Sequence, residues 1–152
     1  MDERIREAIY RRVAEEPFAR KFGLRLLDLD EGYSLVTMSL TPEMGNIFGK
    51  AHGGAIFALI DEAFETASNS HGTTAVALNM SVTYVAAPAM GAVLTAEARE
   101  VNRTKRTAVY DIKVRENGER LVASCQALVY RLETPLPFLT PGPPAGGPDS
   151  TP

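Results

Sequence analysis

Only one cysteine, Cys125, occurs among the 152 residues. No internal disulfide and no multi-cysteine zinc site can form, and a reducing compartment, the cytoplasm, is the expected location. No apolar run approaches the ~18 residues of a membrane-crossing helix. The opening Met1-Asp2-Glu3-Arg4 is charged and no apolar signal core follows it, so neither export nor membrane insertion is expected. Positive charge is not in excess: 16 Lys and Arg face 19 Asp and Glu, a formal net charge of −3. That leaves no overall cationic field for a phosphate backbone and argues against a nucleic-acid partner. Internal repeats are lacking, and proline is scarce except at the end. Seven of the ten prolines lie beyond Glu133, among Gly142, Gly146 and Gly147. Residues 1–131 therefore read as one folded domain with an N-terminal helix, and residues 132–152 as a disordered Pro/Gly-rich tail.

What is present is ordinary for a globular domain: 45% hydrophobic and 23% charged residues, enough to build a real core at this length. Ile5, Ile9 and Val13 recur at intervals of four within residues 2–16, which predicts a short amphipathic helix closed by Pro17. Leu24–Leu29 and Tyr33–Leu40 read as strands of a hairpin around the turn Asp30-Glu31-Gly32. Residues 41–51, with Pro42, Gly45, Asn46 and Gly49, read as a loop. From Gly53 to about Ser70 the apolar residues Ile56, Leu59, Ile60, Ala63 and Ala67 keep helical spacing, and the helix is predicted to be buried on most sides. Strands are expected at Ala75–Ala86, Ala92–Asn102, Thr107–Arg115 and Leu121–Arg131, the last two joined through Asn117-Gly118, and this half reads as an antiparallel meander. The fold class is α+β: an antiparallel sheet against one long helix.

Chemistry concentrates at the start of that helix. The segment Asn46-Ile47-Phe48-Gly49-Lys50-Ala51-His52-Gly53-Gly54 leads into it, and Asp61 follows inside it. Amides at a helix N-terminus lack intrahelical partners and sit at the positive end of the dipole, so Gly53 and Gly54 offer donors to a substrate oxygen, the makings of an oxyanion hole. Asp61 interrupts an apolar face, where a carboxylate is costly unless paired, hydrated or used. Nine residues separate His52 from Asp61, about 180° of helical rotation and roughly 13 Å of rise. One chain cannot bring both to the same carbonyl, but two antiparallel helices in a two-fold dimer can. Glu62 and Glu65 read as a hydrated acidic face, Cys125 as a small core residue, and His52 with His71 as too sparse for a metal site. No cofactor is expected. Arg103, Lys105 and Arg106 form a cationic turn after Asn102 that could hold an anion or be ordinary solvated surface.

The pattern Asn46…Gly49…His52-Gly53-Gly54…Asp61, followed by Ala63-Phe64…Ala67…Asn69, resembles the signature of the PaaI-type hotdog-fold acyl-CoA thioesterases. The resemblance continues through Ser81-Val82-Thr83-Tyr84…Pro88…Gly91, Arg103 to Tyr110, and Leu121-Val122-Ala123…Tyr130-Arg131, covering roughly residues 16–131. It implies a sheet wrapped around the central helix, a homodimer as the minimal active unit and commonly a homotetramer. It implies an acyl-CoA substrate, aryl or medium-chain, with Asp61 as general base or nucleophile, the Gly53 amide polarising the thioester carbonyl, and Asn46 and His52 positioning thioester or water. Gly54 and the segment of Asn102, Arg103, Lys105 and Arg106 would bind the substrate, the cations meeting coenzyme A phosphates. One departure stands out: where some relatives carry Ser or Thr on the strand after the helix, this chain has Ala77. That departure motivates a rival expectation, a noncatalytic acyl-CoA- or lipid-binding hotdog module; a thioester hydratase ranks lower, because His52 belongs to the glycine signature.

Overall fold

The computed structural model describes residues 1–139. In chain order the helices are α1 (Glu3–Glu15), α2 (Pro17–Phe22) and α3 (Gly53–Asn69). The strands are β1 (Arg25–Asp30), β2 (Tyr33–Ser39), β3 (Thr73–Tyr84), β4 (Val93–Arg103), β5 (Thr107–Glu116) and β6 (Arg120–Pro135). All strands form one antiparallel sheet in the order β1-β2-β4-β5-β6-β3. The sheet wraps α3, as the hotdog resemblance implies.

Small side chains make the wrapping possible. Ala96 and Ala98 of β4, Ala108 of β5 and Ala123 and Ala127 of β6 are all at most 1% exposed, and Ala55, Ala58, Ala63 and Ala67 answer them from the helix. Around this close approach Leu59, Ile60, Leu94, Ile112, Val114 and Val122 fill the core at 0% exposure, each such aliphatic side chain contributing about 1.5–3 kcal/mol on burial. Two buried hydroxyls tie sheet to helix: Ser34 Oγ donates to Ala63 O at 2.6 Å, and Ser70 Oγ accepts from Gly32 N at 2.7 Å. Cys125 is 1% exposed and burial pushes its thiol up to about 11, the property of a core residue.

The second half is not a simple meander. Only β4, β5 and β6 follow one another; β3 pairs with β6 at the far edge, and β4 pairs back with β2. Chain proximity suggests that β3 neighbours β4, but the residues between them, Val85 to Ala92, are too many for a tight turn and carry the chain across the sheet instead. Pro17 does not end the helical region either. It occupies the first turn of α2, where its missing N–H costs nothing, and Gly23 stops that helix at φ +65°. The folded body also extends past Arg131: β6 runs to Pro135 and Leu136 is 2% exposed. Thr73 pairs with Pro135, so the length of β3 recruits these residues. The remainder of the expected tail, residues 140–152, lies outside the described residues.

Within the sheet's central strands a polar knot fixes β4 to β5. Glu100 Oε2 accepts from the Tyr110 hydroxyl at 2.8 Å and lies 2.7 Å from His71 Nε2, and Arg103 Nε is 3.5 Å from Glu100 Oε1. Burial raises the Glu100 carboxyl, but the hydrogen bonds from Tyr110 and His71 and the nearby positive charge outweigh it, and the net position is below the ordinary value of 4.5. A carboxylate lowered on folding adds stability that is present above its unfolded pKa and lost as pH falls through its folded one. Tyr110→Phe, which removes the hydroxyl from a ring at 0% exposure, is expected to cost about 1.5–3 kcal/mol in urea unfolding at pH 7. The deficit should shrink as pH falls below the ordinary carboxylate value of 4.5 and through the lowered wild-type one, where Glu100 becomes protonated in both proteins.

Candidate active site

The loop from Thr41 to His52 is organised by Asn46. Its Oδ1 accepts from Phe48 N at 2.9 Å and Lys50 N at 3.1 Å, Asn46 N donates to Lys50 O at 2.7 Å, and Gly45 bridges to Ala51. The side-chain oxygen is thus committed to holding the loop that delivers the chain to α3. At the loop tip Ile47 and Phe48 are 92% and 78% exposed.

His52 is the N-cap of α3 and its Nδ1 accepts from Gly54 N at 2.8 Å. Nδ1 is therefore unprotonated in this arrangement, and a neutral ring carries its proton on Nε2. This corrects the expectation for Gly54: its amide is already bonded and is not a donor for substrate. A Cβ on Gly54 would stand 3.0 Å from that same Nδ1, so a larger residue there would push the capping ring by a few tenths of an ångström. The Gly53 N–H has no acceptor among the described residues, and it is the donor that remains. Tyr84, on β3, fixes the position of Gly53 by donating its hydroxyl to Gly53 O at 3.0 Å. In the sequence Tyr84 stands out only as part of the Ser81–Tyr84 stretch of the family resemblance, with no sign that it reaches 31 residues back to the helix start. A cavity of about 390 Å³ opens beside these groups, lined by Ala51, Gly53, Ile56, Tyr84 and the segment Val85 to Pro88.

Asp61 lies elsewhere. It is half-buried in the middle of α3 and lines a larger cavity, about 520 Å³, between α1, α3 and β3, with Ala77 and Thr74 on the opposite wall. No hydrogen bond or ion pair holds its carboxylate among the described residues, and burial raises its pKa above the ordinary 3.8. The structure brings Asn46, His52 and Gly53 together and keeps Asp61 apart from them within one chain, as the nine-residue spacing requires. Beside Asp61, Glu62 departs from the hydrated face expected of it. It is 3% exposed and its carboxyl is pushed up to about 8, first by burial and then by the charges of Glu16, Glu65 and Asp61. The chain entry from α1 into α2 covers this side of α3, and that entry was not foreseen.

Asn102, Arg103, Lys105 and Arg106 are all exposed on the β4–β5 turn, outside both cavities. Arg103 faces Glu100, Lys105 Nζ is 3.5 Å from Glu133 Oε1, and Arg106 Nη1 donates to the Tyr130 hydroxyl at 3.3 Å. Arg106 has no carboxylate partner among the described residues. His71 is engaged with Glu100, far along the fold from His52.

A six-stranded antiparallel sheet wrapped around one long helix is the hotdog architecture, here with a glycine amide that has no acceptor among the described residues at the start of that helix and a carboxylate inside it. The sequence model of the Thioesterase superfamily matches residues 48–123. The acyl-coenzyme A thioesterase PaaI of Escherichia coli is 35% identical over 114 residues, 75% of this chain and 81% of its own length. The solved structure of the E. coli PaaI protein from the phenylacetic acid degradation operon superposes with a TM-score of 0.83 at 30% identity, covering 88% of this chain and 96% of that one. The structure of smu.793 from Streptococcus mutans bound to acetyl CoA gives 0.71 at 27% identity, covering 74% and 91%. The chain belongs to the thioesterase superfamily, in its PaaI-type hotdog branch, and is a thioester hydrolase. Among the described residues no helix is long and apolar enough to cross a membrane.

Proposed function

We propose that this protein hydrolyses an aryl- or medium-chain acyl-CoA to the free acid and coenzyme A, at sites shared between two copies of the chain. The observation that carries the reading is the division of the chemistry along α3: a Gly53 amide at its start and an Asp61 carboxylate in its middle, each without a partner among the described residues and in separate cavities. Of the two edge strands, β3 supports the pairing of copies, because among the described residues it has no strand on its outer side and it exposes Val76 at 44% and Leu78 at 56%. In the dimer the Gly53 N–H of one chain stabilises the oxyanion while Asp61 of the other drives attack. Asn46 and His52 contribute by holding the loop and the helix start in place, and His52 keeps Nε2 as a donor for thioester or water.

Asp61 acts either as base toward water or as nucleophile through an acyl anhydride. A single turnover in ¹⁸O-water tests the second: an anhydride opened by water at the Asp61 carbonyl releases an unlabelled acid and leaves the label on Asp61, whereas water attack at the acyl carbon puts the label in the acid and none on Asp61. The test of the reaction itself is release of coenzyme A thiol from aryl, short-chain and medium-chain acyl-CoAs. The absence of a hydroxyl at Ala77, on the wall of the Asp61 cavity, favours one second reading, a binding module, which predicts saturable acyl-CoA binding with no thiol release.

The exposed turn of Asn102, Arg103, Lys105 and Arg106 is proposed to meet the coenzyme A phosphates, with Arg106 the cation freest to do so. Arg106→Glu is expected to raise KM for acyl-CoA roughly tenfold or more. It should leave hydrolysis of the corresponding N-acetylcysteamine thioester, which has no phosphate, unchanged. Equal effects on both substrates would remove the turn from substrate binding.

A further inference from the structure

The densest chemical group outside the residues assigned to hydrolysis is a carboxylate triad. Glu16 lies at the junction of α1 and α2, and Glu62 and Glu65 stand three residues apart on α3. One oxygen from each lies within 4.8 Å of the other two. Oxygens that share one ion at 2.0–2.6 Å are separated by no more than about 5 Å, so the three are already at coordination spacing. Acidic side chains in a loose surface group would need no explanation. Glu62 does: its residue is 3% exposed, and its Oε1 is buried with no hydrogen-bond partner among the described residues. An oxygen so placed has lost its water and gained nothing in return, which is costly unless something else occupies its lone pairs.

No side chain among the described residues supplies that partner. Arg12 is the cation lining the same cavity; its charge favours the ionised form of Glu16, but its guanidinium makes no hydrogen bond or ion pair with the triad, lying 3.8 Å from Glu15 Oε2 and over the Phe138 ring at 5.6 Å from its centre. Glu16 precedes the first residue of α2, yet its side chain makes no capping hydrogen bond there. Glu65 is the exposed member and leaves the group open to solvent on one side.

We propose that Glu16, Glu62 and Glu65 bind one hard divalent cation, of the Ca²⁺, Mn²⁺ or Mg²⁺ kind, in the cavity beside Asp61. The donor set is entirely oxygen, which suits these ions rather than Cu or Zn, and water from the open side completes the shell. The ion satisfies the buried Oε1, offsets the mutual repulsion of the carboxylates, and clamps the α1–α2 junction onto the central helix.

Protein stripped with a chelator and dialysed is heated with CaCl₂, MnCl₂ or MgCl₂ alone, against KCl at matched ionic strength. At least one divalent salt is expected to raise the unfolding midpoint by roughly 5 °C when present at about a hundred times its Kd, and equilibrium dialysis should count one ion per chain. Glu62→Gln and, as the exposed variant that leaves the core untouched, Glu65→Gln should each abolish the rise, while Glu15→Gln retains it. No divalent-specific rise in the wild type, or a rise that persists in both Glu62→Gln and Glu65→Gln, overturns the proposal. The readout is binding and stability, so it stands or falls separately from the acyl-CoA reading.

Discussion

Asp61→Asn is expected to lower the turnover of acyl-CoA by ~10²–10⁴-fold, the span of a lost general base, with an unfolding midpoint at or slightly above that of the wild type. The two halves of that expectation come from the same observation. Asp61 makes no hydrogen bond or ion pair among the described residues, and burial disfavours its charged form. An isosteric amide therefore breaks no contact in the fold, and it removes a charge from a cavity that also holds Glu16, Glu62 and Glu65. On the proposed reading, Asp61 is kept in such surroundings without a structural partner for the reaction. Thiol release and thermal unfolding measured on the same preparation decide the matter: a near-wild-type rate in a folded variant would take Asp61 out of the mechanism.

Gly53→Pro should cut turnover by about 10²–10³-fold, the loss associated with one oxyanion donor. Proline is the substitution that deletes the N–H while sparing the helix. Gly53 is the first residue of α3, the position where proline is best accommodated. The preceding His52 already has φ −70° and ψ 133°, the extended conformation that a following proline demands. The nearest atoms to an added Cβ are those of the Tyr84 ring, at 3.4 Å, so the ring needs only a small adjustment. Mixing Gly53→Pro with Asp61→Asn after joint refolding tests the shared site directly. Half the dimers then carry both variants and each has one intact site of two, so about a quarter of wild-type activity should return. No recovery from a mixture shown to contain heterodimers would place the whole site within one chain.

Much of the fold was legible because its signals are local. Helical spacing through Ile56, Ala63 and Ala67 placed α3 within one residue at each end, and β-compatible side chains between turn signals located every strand. Pairing was not legible: nothing in Thr73–Tyr84 states that it lies beside β6, since register and neighbour are chosen by how the sheet closes around the helix. The second helix was missed because Pro17 can end one helix or begin the next, and only the turn that places Glu16 against α3 separates the two. For the site, the glycine amides and Asp61 stood out by chemistry and spacing, but the loss of Gly54 as a donor depends on a ring rotation at His52. The contribution of Tyr84 depends on β3 passing the start of α3.

The sequence by itself determined the chemical vocabulary of this protein: one free cysteine, a helix start rich in amides, a carboxylate nine residues further on, and a spacing that keeps the two apart in any single chain. Those properties follow from composition and helical geometry, which each residue carries with it. The tertiary structure alone decided which amide remains free among the described residues, which strands lie at the sheet edges, and which acidic residues face inward. These depend on contacts between segments far apart in the chain. Glu62 shows the difference most plainly, because a glutamate on a helix is a solvated charge by default and became a buried, unpartnered oxygen only when the α1–α2 junction folded over it.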